Sequence, residues 1–196
     1  MKSTHSTARA YGKSAITMLA MVTGTAVMMA ACSSVKAPPK MFDQTMLSDM
    51  IRVPAGNEVV LETTAVGVLN YECRANTPTA GSNGWALASP KADLLDRTGK
   101  TVASYSGPPA TWAHVDGSSV AGTQLAVAPV IGATNLPMQL SRGTSGAGTG
   151  MLQNVSYVQR IKTKGGLDFT KPCTQAEMGD KMTLPYQADY IFWKPA

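Results

Sequence analysis

The chain has 196 residues, room for one domain and a poor fit to two. Lysine and arginine number 17 against 12 acidic residues, but Lys2, Arg9 and Lys13 lie in an N-terminal segment with the pattern of a cleaved leader. Without those three the charge is too even for nucleic-acid binding, which needs a clustered basic face. Only 15% of residues are charged and no long helical periodicity is present, which speaks against a helical cytosolic enzyme.

Met1 to Ala31 reads as a targeting segment. Lys2, Arg9 and Lys13 form its positive start, Ala15 to Ala31 is mostly apolar, and it ends Met29-Ala30-Ala31-Cys32. Small residues directly before a cysteine resemble the lipobox of bacterial lipoproteins, in which the cysteine is acylated and becomes the new N-terminus. Two alternatives fit less well. Met29 is a poor residue for Ala-x-Ala cleavage, and the apolar run is short and mild for a membrane span of ~20 residues. Ser33, in place of aspartate, favours the outer membrane by resemblance to sorted lipoproteins. Ser33 to Lys40 carries Pro38-Pro39 and reads as a tether. Asp43 to Ile51 is expected to form two turns of helix, with Asp43 as N-cap, so that residues 32–53 make a tether and short helix before a domain over 54–196.

From there the signals are those of strands. Glu58 to Thr64 is β-branched; in Val68 to Cys73, Leu69, Tyr71 and Cys73 fall on one face and Asn70 and Glu72 on the other. Gly84 to Ser89, Lys91 to Arg97 and Thr101 to Tyr105 follow as short runs, the last two joined by a turn at Thr98-Gly99-Lys100. Gly107-Pro108-Pro109 must stop any strand, because proline gives no N–H to a ladder. Thr111 to Val115 then runs extended, Asp116-Gly117 turns, and Val120 opens the next run to Val130. Leu136 to Leu140 is short, and Gly143 to Gly150 reads as a flexible loop. Met151 to Thr163 is the longest expected strand, with Val155, Tyr157 and Ile161 on one face and Arg160 and Lys162 on the other. Thr174 and Glu177 have capping-box spacing, and Gln187 to Trp193 closes the chain as an aromatic strand. About ten short strands separated by frequent turns predict an all-β, antiparallel sandwich or barrel.

Several of these elements occur in a recognisable order. Tyr71-x-Cys73, Trp85, Pro90-x-Ala92-x-Leu94 and Gly99 precede Gly107-Pro108, Trp112 and Asp116-Gly117-Ser118-x-Val120. Gln159-Arg160-x-x-Thr163-x-Gly165-Gly166, Cys173 and Ala188-x-Tyr190-x-Phe192 follow. In this the chain resembles the domain of unknown function 3455 family, found in bacterial exported and fungal surface proteins, over about Pro54 to Trp193. The resemblance implies no established activity. The chain departs from the family pattern at Ser104, where histidine is expected, at the extra pair Pro109 and Ala110, and at Met138, where tryptophan is expected.

Candidate chemistry is sparse. Once Cys32 is acylated, Cys73 and Cys173 are an even pair in an oxidising compartment, which predicts one disulfide. No metal site or other cofactor is expected: one histidine remains, and Asp93, Asp96 and Asp116 lack a calcium-loop spacing and read as turn acids. A serine hydrolase would use His114 as base with Asp116, which share a face of an extended run, but no Gly-x-Ser-x-Gly elbow supplies a nucleophile. The glycines of 143–150 lack the lysine and following helix of a phosphate loop. Trp85, Trp112, Trp193, Tyr71, Tyr105, Tyr157, Tyr186 and Tyr190 are chiefly core material. Tyr105, Trp112, His114 and Asp116 are the candidate ligand contacts. The expectation is an envelope lipoprotein of the outer membrane, facing periplasm or exterior, with a non-enzymatic binding or structural role. Its partners would be the membrane, through the lipid, and an envelope polysaccharide or protein. The alternative is a hydrolase acting on an envelope polymer.

Overall fold

The computed structural model describes residues 42–75, 82–144 and 146–196. The leader, Cys32 and the tether lie outside the described residues. The domain is all-β. Eight antiparallel strands close into one barrel in which each strand pairs with its neighbours in sequence and the last pairs with the first. They are β1 (Asn57–Ala75), β2 (Asn83–Leu95), β3 (Thr101–Ser106), β4 (Thr111–His114), β5 (Ser119–Ala128), β6 (Met138–Gly143), β7 (Tyr157–Gly165) and β8 (Lys181–Pro195).

Eight strands replace the expected ten because two breaks do not break. Val66 and Gly67 continue the ladder, so two short runs become the 19-residue β1. Gly67 serves here by its bareness: a Cβ would strike the Lys91 carbonyl and Ala92 of β2. Pro90 sits inside β2 opposite Leu69, next to an extra residue at Ala88 that shifts the register between Asn70 and Tyr71. A proline is tolerated beside such a bulge because the ladder is already interrupted there.

Two cores follow from the alternation. Inside the barrel, Leu69 and Tyr71 of β1, Leu94, Tyr105, Trp112, Val120, Val158 and the β8 residues Leu184, Tyr186, Tyr190 and Phe192 pack together. Outside, Ile51 and Val53 cover Leu140, Ile161, Ile191 and Trp193. This second core needs a bridge. Gln159, fully buried, accepts the Trp193 indole N–H at 2.8 Å and donates to the Ile51 carbonyl at 2.6 Å. The expected helix over Asp43 to Ile51 is reduced to one 3₁₀ turn, Asp49–Ile51, preceded by Ser48. Asp43 instead accepts the N–H of Thr45, and of the segment only Ile51 is buried, with Leu47 packed in part against the same outer core.

The two barrel ends are closed differently. At one end the 166–180 connection lays Phe169 edge-on against Tyr71, with ring centroids 4.9 Å apart, and stacks it on Trp85 at 6.1 Å. The Cys73–Cys173 disulfide ties that connection to β1, with Cα atoms 5.5 Å apart. The expected capping box forms there, between Thr174 and Glu177. At the other end Met151 to Val155 is not strand. It is a turn whose Leu152 and Val155 are buried in the inner core.

Candidate functional site

Asp116-Gly117-Ser118 makes the β4–β5 turn, with Gly117 at φ +88°. Asp116 Oδ1 accepts the N–H and hydroxyl of Ser118 at 2.9 and 2.6 Å, and Oδ2 accepts the Met151 N–H at 2.7 Å. These bonds, Met151's foremost, hold the carboxyl well below the usual carboxylate range. His114 Nδ1 lies 3.0 Å from Asp116 Oδ2. That is half of a hydrolase arrangement, but the serine stands on the wrong side of it. The Ser118 hydroxyl is fully buried, donates to the carboxylate and accepts the Leu152 N–H at 2.9 Å. Nucleophile activation needs the serine on the imidazole; here it sits on the aspartate. The trio anchors the Leu152 plug. The glycine-rich segment expected to be a flexible loop is docked on the same turn, with Ser119 donating its N–H to the Ala147 carbonyl at 2.8 Å. Gly146 lies so near the Ser119 carbonyl, and Gly148 so near that of Gly117, that a Cβ at either would collide.

The other two candidate contacts lie inside the barrel. Trp112, almost fully buried, stacks on Tyr105 at 5.2 Å and meets Tyr190 edge-on at 5.6 Å. Tyr105 reaches a notch in the wall. Pairing between β2 and β3 begins only at Lys91 and Ser106, and that between β4 and β5 ends at Thr111 and Ala121. The upper parts of β2 and β5 therefore stand beyond the short β3–β4 hairpin, whose turn is Gly107-Pro108-Pro109-Ala110. A half-open cavity of about 370 Å³ fills this gap. Leu87, Pro90, Pro108, Ala110, Leu136 and Pro137 line it, Gln124, Gln139 and Ser141 add polar edges, and Tyr105 and Arg160 complete the lining. Gly122 keeps its wall thin, since a Cβ would meet the Trp112 ring.

Arg160 is the residue that sequence alternation misplaces. It shares a polar face with Lys162 in the sequence, yet it lies on the inward side of β7 with Val158, while Gln159 and Ile161 face the outer core. Both faces of β7 are covered, so polarity does not tell inside from outside. Arg160 Nε and Nη2 donate to the Pro137 carbonyl at 3.3 and 3.1 Å, and no carboxylate pairs with it among the described residues. Burial raises the hydroxyl pKa values of Tyr71, Tyr105, Tyr186 and Tyr190, and the Arg160 charge offsets this only in part. All four remain neutral phenols. The Tyr71 hydroxyl donates to the Gly166 carbonyl at 2.8 Å. The Tyr186 and Tyr190 hydroxyls and the Trp112 indole N–H are buried and complete no hydrogen bond of normal geometry.

Among the described residues no cluster of histidine, cysteine and carboxylate could hold a metal ion, and no helix is long and apolar enough to cross a membrane. No curated protein and no solved structure matches the chain. One family pattern does, described as protein of unknown function (DUF3455), over residues 54–194. That span runs from the residue after Val53 through β8, and with it the chain belongs to the DUF3455 family.

Proposed function

We propose that the protein is a non-catalytic binding protein of the cell envelope, held to the outer membrane by a lipid on Cys32, and that it takes a small ligand in the notch above the β3–β4 hairpin. One observation carries the binding reading. The inner core is built of packed aromatic and aliphatic side chains, and the wall gap beside it leads to a guanidinium with no carboxylate partner among the described residues. An eight-stranded barrel has an interior of the size that side chains fill or that holds one small molecule. The leader pattern Met29-Ala30-Ala31-Cys32 carries the anchoring reading.

The test is mass spectrometry of protein extracted from membranes. The denatured mass should show loss of residues 1–31 with lipid added. The native mass should show a small-molecule adduct that is absent from Gln124→Trp, a substitution that fills the mouth of the notch. A soluble protein starting at another residue ends the anchoring reading. An adduct that survives Gln124→Trp, or no adduct on either protein, ends the notch reading. Turnover of an envelope polymer abolished by His114→Ala, in a protein that stays folded, would replace binding with hydrolysis.

A further inference from the structure

Resting on the notch as the binding site, we infer that its ligand is a small amphipathic monocarboxylate, with the carboxylate on Arg160 and the hydrocarbon along the apolar wall. The charge argument comes first. Arg160 brings a guanidinium to a half-buried position, so an anion is the natural complement. Among the described residues none is supplied: the guanidinium's charge acts on four tyrosines, and they stay neutral. The Pro137 carbonyl orients the fork through Nε and Nη2, and the Tyr190 hydroxyl interacts with it too, so a ligand would share a five-donor guanidinium with two neutral groups. A carboxylate accepts such a guanidinium with planar, charge-assisted hydrogen bonds.

The shape of the site selects further. Tyr105 offers a phenol to the cavity. The Tyr190 hydroxyl, sealed from solvent, interacts with Tyr105, Tyr186 and Arg160 and so ties the guanidinium to the inner core. Leu87, Pro90, Pro108, Ala110, Leu136 and Pro137 form the rest of the wall, a surface for a short alkyl or aryl group. A single arginine on an apolar wall is a poor match for a phosphate, which calls for several charged donors. About 370 Å³ also excludes a polymer chain from entering whole.

The experiment is calorimetric titration of the full chain with hexanoate, hexan-1-ol and inorganic phosphate, alongside tryptophan fluorescence, because Trp112 stacks on Tyr105, which lines the site. Hexanoate should bind and shift the fluorescence, and the alcohol and phosphate should bind at least about tenfold more weakly. Arg160→Gln should weaken hexanoate by about tenfold or more through loss of the charged hydrogen bonds. Gln124→Trp should abolish binding while leaving Arg160 in place, and it keeps the test decisive where Arg160→Gln fails to fold. Equal binding of hexanol, equal binding of phosphate, or hexanoate affinity unchanged in either folded variant overturns the inference. Absence of hexanoate binding overturns it too. If the native adduct is nevertheless lost in Gln124→Trp, the notch still binds and only its ligand class is wrong; if that dependence fails as well, the binding reading falls with it.

Discussion

Asp116 Oδ2 accepts the backbone N–H of Met151 at 2.7 Å across 35 residues of chain. Through this bond and the one from Leu152 N–H to Ser118, a hairpin turn holds the plug at one end of the barrel. A φ of +152° at Gly150 completes the approach, since a Cβ there would strike the Asp116 carboxylate.

Asp116→Asn should therefore destabilise the fold and leave the overall architecture intact. The pH dependence has a definite sign. The folded carboxyl titrates below its unfolded value of about 3.9, so its contribution is full above that value and is lost as pH falls through the folded pKa. Urea unfolding should separate wild type from Asp116→Asn at pH 7. The gap should narrow steadily below about pH 4. A gap that is constant with pH would show that the carboxylate's charge is irrelevant.

Trp112→Ala should cost about 3–5 kcal/mol, because the ring is buried against Tyr105, Tyr190 and Phe192 and the barrel wall cannot collapse into the space. His114→Ala at the other end of β4 should stay within about 0.5 kcal/mol. Thermal unfolding of the two variants checks both values. Similar losses would mean that the imidazole shares the anchoring of the plug.

Cys73→Ser and Cys173→Ser should lower stability by nearly equal amounts, up to roughly 4–5 kcal/mol in the chain-entropy description, since either opens the same loop of sequence separation 100. Peptide mapping without reductant should find the pair linked. Unequal losses would point to a packing role for one sulfur.

Gln159→Ala should cost about 1–3 kcal/mol by leaving the buried Trp193 indole N–H and the Ile51 carbonyl without their partner. The loss should be local as well as global. Amide exchange at Ile51, whose N–H donates to the Ser48 carbonyl, should quicken more than exchange within β3. Uniform quickening would show that the outer segment and the barrel open as one unit.

What the sequence made legible was the punctuation. Asp116-Gly117 turns where its residue types demand, Gly107-Pro108-Pro109 ends β3, and the period of two in Leu69, Tyr71 and Cys73 holds, with the first two in the inner core and all three buried. Continuity was harder to read. Glu58 to Thr64 and Val68 to Cys73 read as separate runs, yet Gly67 between them carries the ladder on, its missing Cβ making room for Ala92. Arg160 was illegible for a different reason: alternation assumes that the polar face meets water, and on β7 the face opposite Arg160 is covered by Ile51 and Val53. The notch was hidden too, because it arises from strands of unequal length. No single residue type marks the place where a neighbour stops.

The seam between β1 and β8 joins the beginning of the domain to its end, with Asn57 opposite Pro195 and the Ala196 N–H on the Gly56 carbonyl at 3.0 Å. A nascent chain therefore has nothing to close against until its final fifteen-residue strand has been made. Until then β1 has one side of its ladder open along Asn57–Glu72, and the inner core lacks Leu184, Tyr186, Tyr190 and Phe192. A domain completed by its last segment cannot lock prematurely during synthesis, and a stop codon before β8 would leave a sticky sheet in place of a barrel.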